Sequence, residues 1–199
     1  PRRSARARRR PPPRARSSPR AVPGNANDVR RRFVPALLLR LRLPPPSCLR
    51  SASAAFSIFL HVAFQGCQHL TTLNLGGNQL GDARVCAVWA LVHDSLPALT
   101  FLDMCENNIT PMGLAGLDHV LAHPTLSLAH LDLDHNPLMS PGVTILSQFL
   151  RNAPNLTTLD LCAVGMDATG CTALAECLTT VHSLQALYLE ENALTTVPN

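Results

Sequence analysis

The chain is predicted to be an α/β solenoid, a stack of strand–helix units with a parallel sheet on one side and helices on the other. Two observations predict it. From Leu70 onward the pattern Leu-x-x-Leu-x-Leu-x-x-Asn-x-Leu recurs every 28 or 29 residues, starting at Leu70, Leu99, Leu128, Leu156 and Leu184. Between copies an apolar stripe of helical spacing follows at a constant offset. One such unit cannot bury its apolar face alone, so units of fixed period must stack.

Residues 1–50 come first. They hold fifteen of the seventeen arginines against the single acid Asp28, about +14, and the chain contains no lysine. Residues 51–199 carry Arg84 and Arg151 against twelve acids, −10, so the net charge of +4 hides two opposite halves. Rich in Pro, Arg, Ser and Ala, residues 1–50 read as a basic, disordered tail. Several readings stay open for it: a nuclear address or nucleic-acid contact through RRSARARRR, an Arg-rich transit segment, a solvated tail, or a misplaced gene start. Phe33 is its one aromatic, which leaves little for base stacking. PALLLRLRL resembles a signal-peptide core, but Arg40 and Arg42 interrupt it.

Residues 51–69 read as a degenerate opening unit. Its apolar run AAFSIFLHVAF is too short to span a bilayer. It is expected to form a helix that caps the stack, with Phe56, Phe59 or Leu60, and Phe64 packed on the first complete unit.

Each complete unit starts with a strand. Alternation places Leu73 and Leu75 on one face, as it does Leu102/Met104, Leu131/Leu133, Leu159/Leu161 and Leu187/Leu189. The ninth position is Asn78, Asn107, Asn136 and Asn192, whose amides can satisfy backbone groups where the chain turns. The fourth unit has Val164 there, which predicts a looser turn or a water in place of the amide.

A helix follows. Its stripe is Val85/Val88/Val92, Leu114/Leu117/Leu121, Val143/Leu146/Leu150 and Cys171/Leu174/Leu178, spaced i, i+3, i+7. Gly113, Gly142 and Gly170 precede the stripe, with Arg84 in their place in the first unit. Pro97, Pro124 and Pro154 stop three of the helices. The unit at Leu184 runs five residues past Leu194 and has no helix, so the expectation is a fragment, or an end covered by another chain.

A strand-plus-helix unit of this period resembles the ribonuclease-inhibitor-like class of leucine-rich repeats, which also includes the sensing ends of NOD-like receptors and the Ran GTPase-activating proteins. The resemblance covers roughly residues 52–199. It implies a horseshoe-like right-handed superhelix with a concave parallel sheet and convex helices.

On the outward strand positions the repeat builds columns. The central one reads Asn74, Asp103, Asp132, Asp160, Tyr188. Its neighbours read Thr72, Phe101, His130, Thr158, Ala186 and Gly76, Cys105, Asp134, Cys162, Glu190. Adjacent strands lie about 4.8 Å apart, so the aspartates repel unless something offsets them. A protein partner with a basic surface is therefore expected there, anchored by Phe101 and Tyr188. The site residues expected are Asn74, Phe101, Asp103, His130, Asp132, Asp134, Thr158, Asp160, Tyr188 and Glu190.

No catalytic, metal or cofactor site is expected. His119 and His123 are four apart, but DHVLAH lacks the glutamate of a metalloprotease motif. His130 and His135 flank Asp132 and Asp134 at spacings that match no metal geometry. GGNQLG is a turn within the repeat, without the pattern of a phosphate loop. The alternative is a GTPase-activating regulator by resemblance to the Ran activators, which would use an arginine or polar loop residues; the repeat body holds only Arg84 and Arg151, neither in a matching motif, so no catalytic role is assigned. Seven cysteines in no paired pattern fit a reducing compartment, which points to an intracellular, cytoplasmic protein with a nuclear address open. The sequons at Asn108 and Asn155 read as accidental.

Overall fold

The computed structural model describes residues 38–40, 52–123 and 125–193. In order they form β1 (Leu38–Arg40), α1 (Ala52–Ala63), β2 (Thr72–Asn74), α2 (Gly81–Ser95), β3 (Phe101–Asp103), a 3-10 turn (Pro111–Leu114), α3 (Leu117–Leu121), β4 (His130–Asp132), α4 (Met139–Leu150), β5 (Thr158–Asp160), α5 (Ala168–Leu178) and β6 (Ala186–Tyr188). The six strands make one sheet in chain order, every pair parallel. Leu73, Leu102, Leu131, Leu159 and Leu187 are successive register partners, as the period requires. The first four are buried and Leu187 is half-buried.

β1 corrects the expected boundary. It lies within residues 1–50, and it belongs to the unit that runs from Pro35 to Asn199. Leu39 pairs with Leu73 in register, and Leu39-x-Leu41 repeats the spacing Leu73-x-Leu75. Arg40 and Arg42 gave the segment the composition of a tail, although Leu39-x-Leu41 keeps the leucine alternation of a strand. The rest of the tail, Cys48, Pro124 and Leu194 lie outside the described residues.

The asparagines form a ladder between units. The Asn107 Oδ1 accepts from the Asn78 and Leu80 N–H groups at 3.2 and 3.3 Å. The Asn136 Oδ1 accepts from Asn107 and Ile109 at 3.0 and 2.9 Å. The Asn192 Oδ1 accepts from Val164 and Met166 at 3.2 and 3.0 Å. Val164 removes one rung. The Leu138 N–H, which an amide there would take, instead donates to its own unit's Asn136 carbonyl at 2.7 Å. The third unit's turn has closed on itself, and the fourth unit's turn, where a looser one or a water was expected, is held by the Asn192 Oδ1. Val164→Asn is predicted to restore the rung and raise stability by about 1 kcal/mol, each new buried bond contributing on that order. A lower midpoint in urea unfolding would contradict it.

Most stripe residues are buried as expected. Cys171 and Leu178 are corrections: both are half-buried, because among the described residues no further helix covers α5. Cys177 is the buried thiol of α5, donating to the Ser147 carbonyl at 2.8 Å. The second unit also departs from a single helix. Its 3-10 turn stops at Leu114, Gly116 takes a left-handed φ of 91°, and α3 restarts at Leu117. The break frees the Gly113 carbonyl, which accepts the Trp89 indole N–H at 2.7 Å.

Phe56 and Leu60 of α1 and Phe64 just past its end are buried, and Phe59 is half-exposed. Spacing of four residues keeps the first three on one helical face and turns Phe59 away. Arg84 occupies the place of the later glycines, facing α1. It is buried over the Phe56 ring, 5.4 Å from its centroid, and its Nη1 finds no hydrogen-bond partner among the described residues.

Candidate functional site: the outer sheet face

Helices cover the leucine face of the sheet, and the other face carries the columns. In the central column Asn74 and the three aspartates fold back onto their own strands. The Oδ1 atoms of Asn74, Asp103, Asp132 and Asp160 accept the N–H two residues on, from Gly76, Cys105, Asp134 and Cys162, at 3.0–3.1 Å. Asn74 also donates to the Asp103 Oδ2 at 2.6 Å. The aspartates of this column and Asp134 are each less than 9% exposed. They therefore close the strand ends as well as carry charge, a role that the acceptor atom alone fulfils, since Asn74 does it uncharged.

The flanking positions are more open. Phe101, His130, Thr158 and Tyr188 are half-buried and Glu190 is exposed. The rings of Phe101 and His130 lie 5.7 Å apart, tilted by 32°. Burial pushes the His130 imidazole below its ordinary value. The Cys162 thiol donates to the Glu190 Oε2 at 2.7 Å. Burial, then the Glu190 carboxylate, holds that thiol protonated far above its ordinary range. The same bond pulls Glu190 below the usual carboxylate value.

A fourth column escaped the sequence reading. Gly77, Glu106, His135, Ala163 and Glu191 occupy the eighth motif position, each with a left-handed φ between 50° and 71°. The signal was a shared place before the asparagine, hidden because the residue types differ. His135 bonds Asp134, and that bond, helped by Glu191 and Glu106, raises the imidazole above its ordinary value. The linked stability is present below about pH 6.5 and is lost as pH rises through the folded value. Asp134→Asn is predicted to bring the His135 titration back toward 6.5, read by NMR; an unchanged titration would show that the Asp134 bond is not its cause.

One ligand atom each from Asp132, Asp134 and Asp160, or from Asp103, Cys105 and Asp132, lies within 4.8 Å of the others. These are the groups that could gather a cation, although the Oδ1 atoms of the column aspartates are already committed to backbone. His119 is exposed, and His123 instead packs edge-on against His93 at 4.5 Å. Arg84 is buried, which removes it from the surface where the GTPase-activating alternative would need it. Among the described residues no helix is long and apolar enough to cross a membrane.

A family model described as leucine-rich repeat matches residues 66–83. The chain is 42% identical over 98 residues to Tonsoku-like protein of Bos taurus, covering 48% of this chain and 7% of that one. It is 32% identical over 126 residues to ribonuclease inhibitor of Mus musculus, covering 63% of this chain and 27% of that one. The chain thus spans a small part of either relative's length. Among solved structures, leiomodin-1 actin-binding site 2 superposes with a TM-score of 0.57 at 12% identity, over 66% of this chain and 76% of that chain, a likeness of fold. The period, the in-register leucines, the asparagine ladder and these similarities together make the chain a leucine-rich-repeat protein of the ribonuclease-inhibitor-like class.

Proposed function

We propose that this protein is a non-catalytic, intracellular interaction module that holds a protein partner with a basic surface on the outer sheet face. One observation carries the reading. Half-exposed Phe101, His130 and Tyr188 stand beside a column of aspartates, while β2 to β6 carry no arginine. Aromatic anchors ringed by one sign of charge suit a complementary protein surface. Six free cysteines among the described residues support a reducing compartment.

The test follows from the hydrogen bonds. Charge reversal to arginine would also break the strand ends, so loss of binding would be ambiguous. Asp132→Asn and Asp160→Asn keep the Oδ1 acceptor, as Asn74 does, and remove the charge, whereas Asp103 stays unchanged because its second oxygen accepts from Asn74. Combined with Tyr188→Ala, they are predicted to lower partner recovery in affinity purification about tenfold or more without changing the melting temperature. Equal recovery of the same proteins would place the binding surface elsewhere.

A further inference from the structure

We propose that the C-terminal ends of α1, α2 and α3 bind a divalent transition metal between His61 and Asp94, with a third nitrogen from the pair His93 and His123. The four side chains come from three successive units. His61 lies in the last turn of α1, His93 and Asp94 in the last turn of α2, and His123 just past α3. They stand in a row. The His61 Nε2 is 4.0 Å from the Asp94 Oδ2, the His93 Nδ1 bonds the Asp94 Oδ1 at 2.7 Å, and the His93 and His123 rings pack edge to face at 4.5 Å.

The hydrogen bonds decide which ring atoms are available. A backbone carbonyl and a carboxylate only accept. The His61 Nδ1 meets the Ser57 carbonyl at 2.9 Å, so it donates. The His93 Nδ1 meets the Asp94 carboxylate, so it donates as well. In a neutral imidazole this leaves the lone pair on Nε2 of both rings. His123 likewise has its Nδ1 engaged, with the Thr125 hydroxyl at 3.1 Å. Histidine ligands of metals are held in this way, one nitrogen tied to a carbonyl, carboxylate or other polar group and the second turned to the ion.

The His61 Nε2 and the Asp94 Oδ2 are therefore two lone-pair atoms facing each other across 4.0 Å, a pairing that a cation between them makes favourable. Bonds of about 2.0–2.2 Å around a tetrahedral ion set its ligand atoms about 3.4 Å apart, so a shift of about 0.6 Å closes this pair. His61 and His93 are 39% exposed, which admits the ion and leaves the rings free to change rotamer and bring in the third nitrogen. The negative ends of the α1 and α2 dipoles favour a cation at the same place. Imidazole nitrogens with one carboxylate suit zinc, nickel or copper, whereas calcium and magnesium want oxygen alone.

Isothermal titration of the untagged full chain with Ni²⁺ tests this, since Ni²⁺ suits imidazole and thiolates prefer softer ions. About one equivalent is expected to bind with a Kd of about 1–100 μM and to raise the melting temperature. His61→Gln, Asp94→Asn, and His93→Gln combined with His123→Gln should each weaken binding about tenfold or more. His182→Gln, exposed in another unit, should leave it unchanged. None of the four side chains is buried, so without metal the variants should melt as the wild type does. A wild type that takes up no Ni²⁺ at about 1 mM, or binding that any one of the three weakening changes leaves intact, would overturn the proposal.

Discussion

Asn136→Ala is expected to destabilise the repeat domain by about 3–6 kcal/mol, as several buried backbone groups lose their partner together. The side chain is fully buried. Its Oδ1 accepts two N–H groups, from Asn107 and Ile109. Its Nδ2 reaches the Met104, Leu133 and Asp134 carbonyls at 3.0, 2.9 and 3.1 Å. Alanine supplies neither function, and Asn107 and Ile109 beside it are themselves fully buried. Each orphaned buried group costs about 1–3 kcal/mol, and local relaxation recovers part of the sum. Urea unfolding followed by circular dichroism measures it. A loss below about 1 kcal/mol would mean that the ladder decorates the turns without holding them. The opposite substitution, Val164→Asn, runs the same experiment in reverse one unit later, and the two results should differ in sign.

Trp89→Ala should cost about 3–5 kcal/mol. The indole is 1% exposed and is the chain's single tryptophan. It packs beside Gly116, whose left-handed turn splits the helix of the second unit, and it satisfies the Gly113 carbonyl that the split leaves free. Removing it opens a cavity and strands an acceptor. Trp89→Phe keeps most of the volume and loses only the bond, so it should cost about 1–2 kcal/mol. Hydrogen exchange should show Leu117–Leu121 losing protection before α4 does, because α3 has only five residues and leans on the indole. Equal protection across both helices would place the support of α3 elsewhere.

Much of the fold was legible in the chain. A period of 28 or 29 residues leaves little freedom: the leucines must align, the asparagines must meet, and the structure pairs Leu73 through Leu187 in that order. Elements without a clean period were harder. β1 was masked by arginines, the break at Gly116 by an intact apolar stripe, and the exposure of Phe59 by a run with apolar residues on several faces.

The candidate surface was legible as a list of columns, since strand alternation alone assigns residues to a face. What each residue does there was not. The sequence by itself determined which side chains share the outer sheet face and that their charge is negative. Only the tertiary structure decided that the column aspartates are buried and tied to backbone N–H groups, that Cys162 bonds Glu190, and that a fourth column with Glu106, His135 and Glu191 borders them. The reason is physical. A period records where a residue stands along its strand, whereas burial, hydrogen bonding and proton affinity depend on what the neighbouring unit places within about 3 Å of it, which stacking alone brings into reach.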